Sequence, residues 1–134
     1  MSITKTRWWW HGWLLGCVLV VAQSAWAQSD QQIYTDSLVN GWQNWSWATV
    51  DLANGTPVHA GIKSASVSAD AWEAIYLHHD ALDTRGYTGL VFWIHGGTSG
   101  GQLLQVQALL SGSAQSAVSP APLPANSWQK ITIS

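Results

Sequence analysis

The sequence after residue 27 predicts an all-β fold. Short segments rich in β-branched and aromatic residues recur along this stretch, and clusters of Gly, Asn, Pro and Ser separate them. Segments with helical periodicity are scarce there. Several of the short segments alternate between an aliphatic side and a polar or aromatic side, as a strand with two different faces does. We therefore expect one β domain in which the aliphatic faces of two sheets pack together as a sandwich.

The N-terminal segment fits a secretory signal peptide that is expected to be helical. Lys5 and Arg7 give a positive start, residues 13–22 form an apolar run, and Ala25-Trp26-Ala27 places small residues around a cleavage site. The apolar run is shorter than the roughly 20 residues that span a bilayer. We expect cleavage after Ala27 and secretion of residues 28–134 without a membrane anchor.

A lipoprotein is the alternative interpretation of the same segment. Leu14-Leu15-Gly16-Cys17 loosely resembles a bacterial lipidation box, which would leave Cys17 acylated. Residues 18–22 are still strongly apolar, whereas a lipidated cysteine is usually followed by a polar tether. This pattern favours cleavage after Ala27.

The composition of residues 28–134 limits the possible partners and the source of stability. Seven acidic side chains stand against three basic ones, Lys63, Arg85 and Lys130, and no basic stripe is present. Nucleic acid and anionic lipid are therefore not expected as partners. Since Cys17 is the only cysteine, the secreted part has no disulfide, and its stability must come from an apolar core or a bound ion.

Seven strands are predicted in the secreted part. They cover residues 33–36, 45–52, 63–69, 72–79, 90–95, 103–110 and 129–133. Asn54-Gly55-Thr56-Pro57 is the clearest turn between them. The glycine-rich residues 96–101 join two of the strands, which predicts a hairpin of 90–95 with 103–110.

The last part of the chain contains a long connection and a final strand. Pro120, Pro122 and Pro124 occupy alternate positions, which blocks regular strand pairing within residues 111–126. The sequence ends at Ser134 inside the last predicted strand, and such an end would leave an unfinished edge. We therefore expect the module to be truncated at its C-terminal end and to belong to a longer protein.

Each predicted strand can be divided into two faces by side-chain direction. In residues 90–95, one face is Leu90, Phe92 and Ile94, and the other includes Trp93 and His95. Similar divisions occur in the predicted strands 45–52, 72–79 and 103–110. The opposite faces, which also include Val91 and Leu103, carry the candidate ligand-binding residues, namely Trp47, Trp72, Tyr76, His78, Trp93, His95, Gln105 and Gln107.

These residue types suit a carbohydrate. Tryptophan and tyrosine offer flat apolar area that matches the C–H face of a sugar ring, while Gln and His offer hydrogen bonds for the hydroxyl groups. We expect Trp93 and Trp72 to stack on the sugar and the other candidates to select hydroxyls. The alternative is that these side chains only stabilise the sheet through cross-strand pairs.

Catalytic and metal patterns are weak. His78 and His79 are adjacent in a predicted strand, so their rings point to opposite faces and cannot easily share one ion. No spacing among the acidic residues singles out a catalytic pair. We therefore expect no catalytic residues in this chain. An enzyme would have to use acids such as Glu73 or Asp83.

Several segments together resemble a known family. The segments are Tyr34-Thr35-Asp36, the strand with Trp45 and Trp47, residues 90–94, and residues 123–133. They are similar to the galactose-binding-like, jelly-roll carbohydrate-binding modules of secreted glycoside hydrolases. The resemblance implies a non-catalytic, monomeric module that binds polysaccharide through aromatic side chains. It implies no cofactor other than the structural calcium ion that such modules often hold near the chain ends. Asp36 would supply only half of such a site, because the family's final strands, which commonly carry an acidic ligand, are absent from this sequence.

The function expected from the sequence is therefore that of a secreted carbohydrate-binding module, which targets a longer extracellular protein to a polysaccharide. Two alternatives remain open. The module could belong to a secreted glycoside hydrolase whose catalytic residues lie elsewhere in the full chain, or it could be a structural or adhesive module of a cell-surface protein.

Overall fold

The computed structural model describes residues 29–134, and every regular element in this range is a strand. The all-β prediction is therefore confirmed for this part of the chain, while the predicted signal peptide lies outside the described residues. No helix within 29–134 is long and apolar enough to cross a bilayer. The strands are β1 (Gln43–Asn44), β2 (Thr49–Asn54), β3 (Ser64–Ser68), β4 (Leu77–His78), β5 (Leu90–His95), β6 (Leu109–Leu110), β7 (Ser113–Ala114) and β8 (Trp128–Ile133).

The strands pair as four antiparallel, two-stranded sheets, which are β1–β4, β2–β3, β5–β8 and β6–β7. The β5–β8 ribbon is the most regular, with an unbroken register from Leu90 opposite Ile133 to His95 opposite Trp128. The strands β2 and β3 also pair closely, with a register shift between Asp51 and Asn54. The jelly-roll arrangement of these ribbons stays a prediction.

The apolar core lies on one face of the β5–β8 ribbon. Ile131, opposite Phe92, is only 5% exposed, and Leu123 is equally buried. Phe92 and Ile94 are half-buried on the same face as Ile131. The division of residues 90–95 into an apolar and an aromatic face therefore agrees with the packing.

The predicted hairpin of residues 90–95 with 103–110 is wrong, because β5 pairs with β8 instead. The glycine-rich loop folds back on itself, since Gly100 N–H donates to the Gly96 carbonyl at 2.9 Å. Gly101 N–H then donates to the Leu123 carbonyl at 2.7 Å, which fastens the loop to the segment that leads into β8. A Cβ atom on Gly96 would collide with the Pro124 carbonyl, so glycine is required for this close approach.

Four other predicted strands differ from expectation. The strand predicted at 45–52 is regular only from Thr49, in β2. Residues 33–36 contribute only an isolated bridge between Tyr34 and Leu38, and 103–110 contributes β6 and a bridge from Val106 to Val118. Residues 72–79 are regular only in β4. The strand predicted at 72–79 cannot begin at Trp72 because residues 70–73 form a turn. In this turn Glu73 N–H donates to the Asp70 carbonyl at 3.1 Å, and Asp70 N–H donates to the Glu73 carboxylate at 2.9 Å.

Candidate functional site

Two short segments bring four aromatic side chains together beside the β1–β4 ribbon. Beyond β1 and β4 the pairing continues, because Trp45 N–H donates to the Tyr76 carbonyl at 2.9 Å and Trp47 N–H to the Ala74 carbonyl at 3.2 Å. Side chains alternate along extended backbone, so Trp45 and Trp47 lie on one side of it. Together with Tyr76 and His78 they form what we call the aromatic face.

The rings of the aromatic face contact one another closely. The His78 ring stacks on Trp45 with a centroid distance of 3.8 Å and an interplanar angle of 18°. Tyr76 lies between the two indoles, at 6.2 Å from Trp45 and 6.1 Å from Trp47. Aromatic pairs in such geometries contribute roughly 0.5–1.5 kcal/mol beyond the area they bury. The rings therefore hold one another in place, although Trp45 is still 52% and Trp47 58% exposed.

The ring N–H groups of this face are already satisfied by the protein. Trp45 Nε1–H donates to the Gln43 side-chain oxygen at 2.9 Å, and Trp47 Nε1–H donates to the Trp72 carbonyl at 2.7 Å. The pair of His78 Nε2 with the Asp80 carboxylate, at 2.8 Å, requires the proton on Nε2, because a carboxylate can only accept. The exposed rings therefore present mainly carbon surface, fixed in orientation by hydrogen bonds at their edges.

The Ser46 side chain links the two backbone segments that carry these rings. Its Oγ accepts a hydrogen bond from Tyr76 N–H at 2.8 Å, which ties the two segments together between the positions of Trp45 and Trp47. The backbone that carries the two indoles is therefore hydrogen-bonded to the neighbouring segment. Such support keeps a binding surface preformed and lowers the entropy lost when a ligand binds.

A second aromatic cluster lies on the outer face of the β5–β8 ribbon. Trp93 and His95 of β5 share this face with Trp128 of β8, and the His95 and Trp128 rings meet edge to face at 5.2 Å. His59, from the loop before β3, stacks on Trp93 at 4.0 Å and 20°. One side of the Trp93 indole is therefore covered by a side chain of the protein, and Trp93 is 45% exposed.

Five of the predicted ligand-binding residues make ring contacts in two separate groups. Trp47, Tyr76 and His78 meet in the aromatic face, while Trp93 and His95 belong to the second cluster. No ring contact joins the two groups within residues 29–134. The role of each residue in binding stays a prediction.

The remaining predicted residues, Gln105, Gln107 and Trp72, take part in none of these ring contacts. The Gln107 amide donates to the Gln115 carbonyl at 2.8 Å, and Gln105 is exposed. Trp72 reaches the aromatic face only through its carbonyl group, since its side chain is 96% exposed.

Sequence reasoning missed three residues of these clusters, namely Trp45, His59 and Trp128. Trp45 lies on the predicted aromatic side of its strand but was not among the candidates, and the i, i+2 spacing with Trp47 could have identified it. His59 lies in an irregular segment. No local pattern places it on Trp93, because the contact joins distant parts of the chain.

Metal-binding chemistry has little geometric support in the part of the chain that the structure describes. His79 points away from the aromatic face, with Nε2 at 2.9 Å from the Asn40 carbonyl and its ring against Trp42. Residues 29–134 contain no group of three or more His, Cys, Asp or Glu side chains that could hold one ion. Structural calcium at Asp36 stays a prediction.

Asp36 has a defined structural role in this fold. Its Oδ1 atom accepts hydrogen bonds from the backbone N–H of Ile62 at 2.7 Å and of Lys63 at 2.9 Å, which fastens the N-terminal segment to the start of β3. These two bonds, from Ile62 first and then Lys63, lower the pKa of the Asp36 carboxyl below its ordinary value of 3.8. The ionised form is therefore favoured in the folded state.

Replacing Asp36 by Asn should make the loss of stability depend on pH. A carboxyl whose pKa is lowered on folding contributes stability above its unfolded pKa, and this contribution is lost as the pH falls through the lowered value. We expect Asp36→Asn to unfold more easily than the wild type at pH 7 and the difference to shrink below about pH 3.9. Urea denaturation at several pH values measures this, with Asp30→Asn as the control. A difference that stays constant across this range would contradict the assignment.

Comparison with known proteins gives one informative similarity. No protein-family model matches this sequence. The chain is similar to a protein named endoglucanase from Dictyostelium discoideum, with 34% identity over 110 residues that cover 76% of this chain and 16% of the relative. The chain thus spans about one sixth of the length of that relative. The similarity indicates a carbohydrate-related module and is consistent with an extracellular protein.

Proposed function

We propose that residues 28–134 form a secreted, non-catalytic module that binds a glucan through the aromatic face. The observation that carries the proposal is the pair of half-exposed indoles, Trp45 and Trp47, whose N–H groups already have partners in the protein. Hydrogen bonds from such rings to a ligand would add little to the free energy of binding, whereas apolar contact with a flat surface would add more. The C–H face of a pyranose ring offers that contact, and its hydroxyl groups remain in water.

The chemistry of the ligand is supported by the relative's name. An endoglucanase acts on glucans, and the similar region occupies only a small part of that protein. A separate module of this size is suited to hold the polysaccharide near a catalytic domain, since linking a binding module raises the effective concentration of the polymer. We therefore propose a glucan as the ligand and a longer extracellular protein as the carrier.

The contacts made by three acidic side chains favour a binding function over a hydrolytic one. Asp80 pairs with His78, Asp83 forms a bidentate ion pair with Arg85, and Glu73 closes the turn at residue 70. The Arg85 guanidinium lowers the pKa of the Asp83 carboxyl, which keeps it ionised and unsuited to donate a proton. These carboxylates serve local structure, which leaves the aromatic face as the better candidate for function.

Binding to polysaccharides tests this function. The full-length secreted protein should be retained on an insoluble β-glucan and not on an uncharged matrix without sugar rings. Its tryptophan fluorescence should change on addition of a soluble glucan. No retention and unchanged fluorescence with every glycan would contradict the proposal. Release of reducing sugar that disappears in Glu73→Gln or Asp83→Asn would instead indicate an enzyme.

A further inference from the structure

His78 covers one face of the Trp45 indole. The two rings are nearly parallel, with an interplanar angle of 18° and a centroid distance of 3.8 Å. The indole is half-exposed, so much of its remaining surface is open to solvent. Its N–H is held by the Gln43 side chain, but one hydrogen bond at the edge does not prevent a ring from tilting. The orientation of the Trp45 indole therefore depends on the His78 ring that is stacked against it.

Asp80 in turn fixes the His78 ring. An imidazole can otherwise rotate about its Cβ–Cγ bond, whose torsional preference is broad. The Asp80 Oδ1 atom accepts the His78 Nε2–H at 2.8 Å, and hydrogen bonds to a carboxylate are stronger than those between neutral groups. Within residues 29–134 the Asp80 carboxylate accepts no other hydrogen bond. The one side-chain contact of this carboxylate is therefore with the ring that packs on Trp45.

The backbone between His78 and Asp80 is restrained from the opposite side. His79 points away from the aromatic face, where its Nε2–H donates to the Asn40 carbonyl at 2.9 Å and its ring packs against Trp42. Alternation along the chain then leaves the side chains of His78 and Asp80 on the same side. The hydrogen bond between them is thus made within a backbone segment that is already held in place.

A contribution to folding stability alone is a weak explanation of this pair. The Asp80 side chain is 78% exposed, and exposed pairs of this kind contribute little to the free energy of folding. The position of the His78 ring, by contrast, determines which face of the Trp45 indole a ligand can reach. Fixing both rings before the ligand arrives lowers the entropy that is lost on binding.

We propose that Asp80 is a positioning residue of the aromatic face, which keeps the His78 ring stacked on Trp45 and thereby fixes the orientation of this indole for the ligand. The inference rests on the proposed function. Asp80 acts through His78 and does not itself contact the ligand. Without Asp80 the imidazole can rotate away from the indole, and both rings must then be ordered during binding. The affinity falls by about fivefold as a result.

The indole N–H signals of the ligand-free, full-length protein test the positioning role. In spectra of the ¹⁵N-labelled protein, Asp80→Ala should shift the Trp45 signal and leave the Trp93 signal in place. Asp80→Asn should keep the Trp45 signal near its wild-type position, because the Asn side-chain oxygen can also accept the His78 Nε2–H. Asp83→Ala is the matched control, since it removes another exposed carboxylate, and it should leave the Trp45 signal unchanged. An unchanged Trp45 signal in Asp80→Ala would overturn the proposal.

A double-mutant cycle tests whether Asp80 acts through His78. The affinity for hydroxyethyl cellulose is measured by calorimetry. Asp80→Ala should weaken binding about fivefold in the wild-type background and have no further effect in His78→Phe, whose ring has no N–H to donate. Unchanged affinity in Asp80→Ala, or equal losses in both backgrounds, would overturn the proposal. If the wild type binds neither this polymer nor any other glucan, the proposed function is contradicted, while the Trp45 signal still decides the role of Asp80.

Discussion

Replacing Trp47 by alanine is expected to weaken glucan binding by about thirtyfold, which corresponds to roughly 2 kcal/mol for a central aromatic contact. The change removes the most exposed indole of the aromatic face and also the donor that holds the Trp72 carbonyl. The ligand would therefore lose one of its two stacking surfaces. Isothermal titration calorimetry with a soluble glucan measures the change in Kd.

The control for this variant is Trp93→Ala. Trp93 is similarly exposed, but it lies in the second cluster and its ring is stacked against His59. Its replacement should leave the affinity within about twofold of the wild type, because no contact of the proposed site is lost. A large loss in Trp93→Ala with no change in Trp47→Ala would move the binding site to the β5–β8 ribbon.

Replacing Ile131 by alanine is expected to cause the largest loss of stability. Ile131 is 5% exposed and lies opposite Phe92 on the apolar face of the β5–β8 ribbon. Removing a buried isoleucine side chain costs about 2–5 kcal/mol through lost apolar burial and the cavity left behind. Few large side chains in the described range are buried as deeply, so little remaining core can compensate. Thermal unfolding followed by tryptophan fluorescence measures the effect.

Two further variants calibrate this result. Ile131→Val removes one methylene group and should cost only about 0.5–1.5 kcal/mol. Thr132→Ala changes the next residue, whose side chain is exposed on the other face, and should stay within about 0.5 kcal/mol of the wild type. A loss in Thr132→Ala equal to that in Ile131→Ala would show that Ile131 is not part of a packed core.

The sequence pattern was sufficient where a strand alternates regularly. Residues 90–95 were predicted as a strand and form β5, and residues 129–133 lie within β8. In both, β-branched or aromatic residues are frequent and no Gly or Pro interrupts them. The buried position of Ile131 opposite Phe92 then follows from alternation and register.

Strand pairing could not be obtained from the same pattern. The glycine-rich loop favoured a hairpin of consecutive strands. In the structure the loop is instead hydrogen-bonded to Leu123, and β5 pairs with β8. This choice depends on backbone hydrogen bonds between residues far apart in the sequence. Local propensity contains no information about such contacts, and the flexible glycines permit either outcome.

Side-chain alternation in the sequence identified three of the four residues that form the aromatic face, and Trp45 was missed. The i, i+2 spacing of Trp45 with Trp47 and of Tyr76 with His78 indicates shared faces, which the structure brings together. The high β-propensity of Trp72 favoured a strand, whereas the turn closed by Asp70 and Glu73 places this residue outside it. Which predicted faces are neighbours depends on tertiary pairing, so the sequence pattern alone could not show that Trp93 stacks with His59.

The most direct test of the central claim is a titration of the ¹⁵N-labelled secreted protein with a soluble glucan, followed through the indole N–H signals in NMR spectra. Assignment by single Trp→Phe variants identifies each signal. We predict that the signals of Trp45 and Trp47 shift with ligand concentration while those of Trp93 and Trp128 stay in place. Shifts confined to Trp93 and Trp128, or no shift in any indole signal, would contradict binding at the aromatic face.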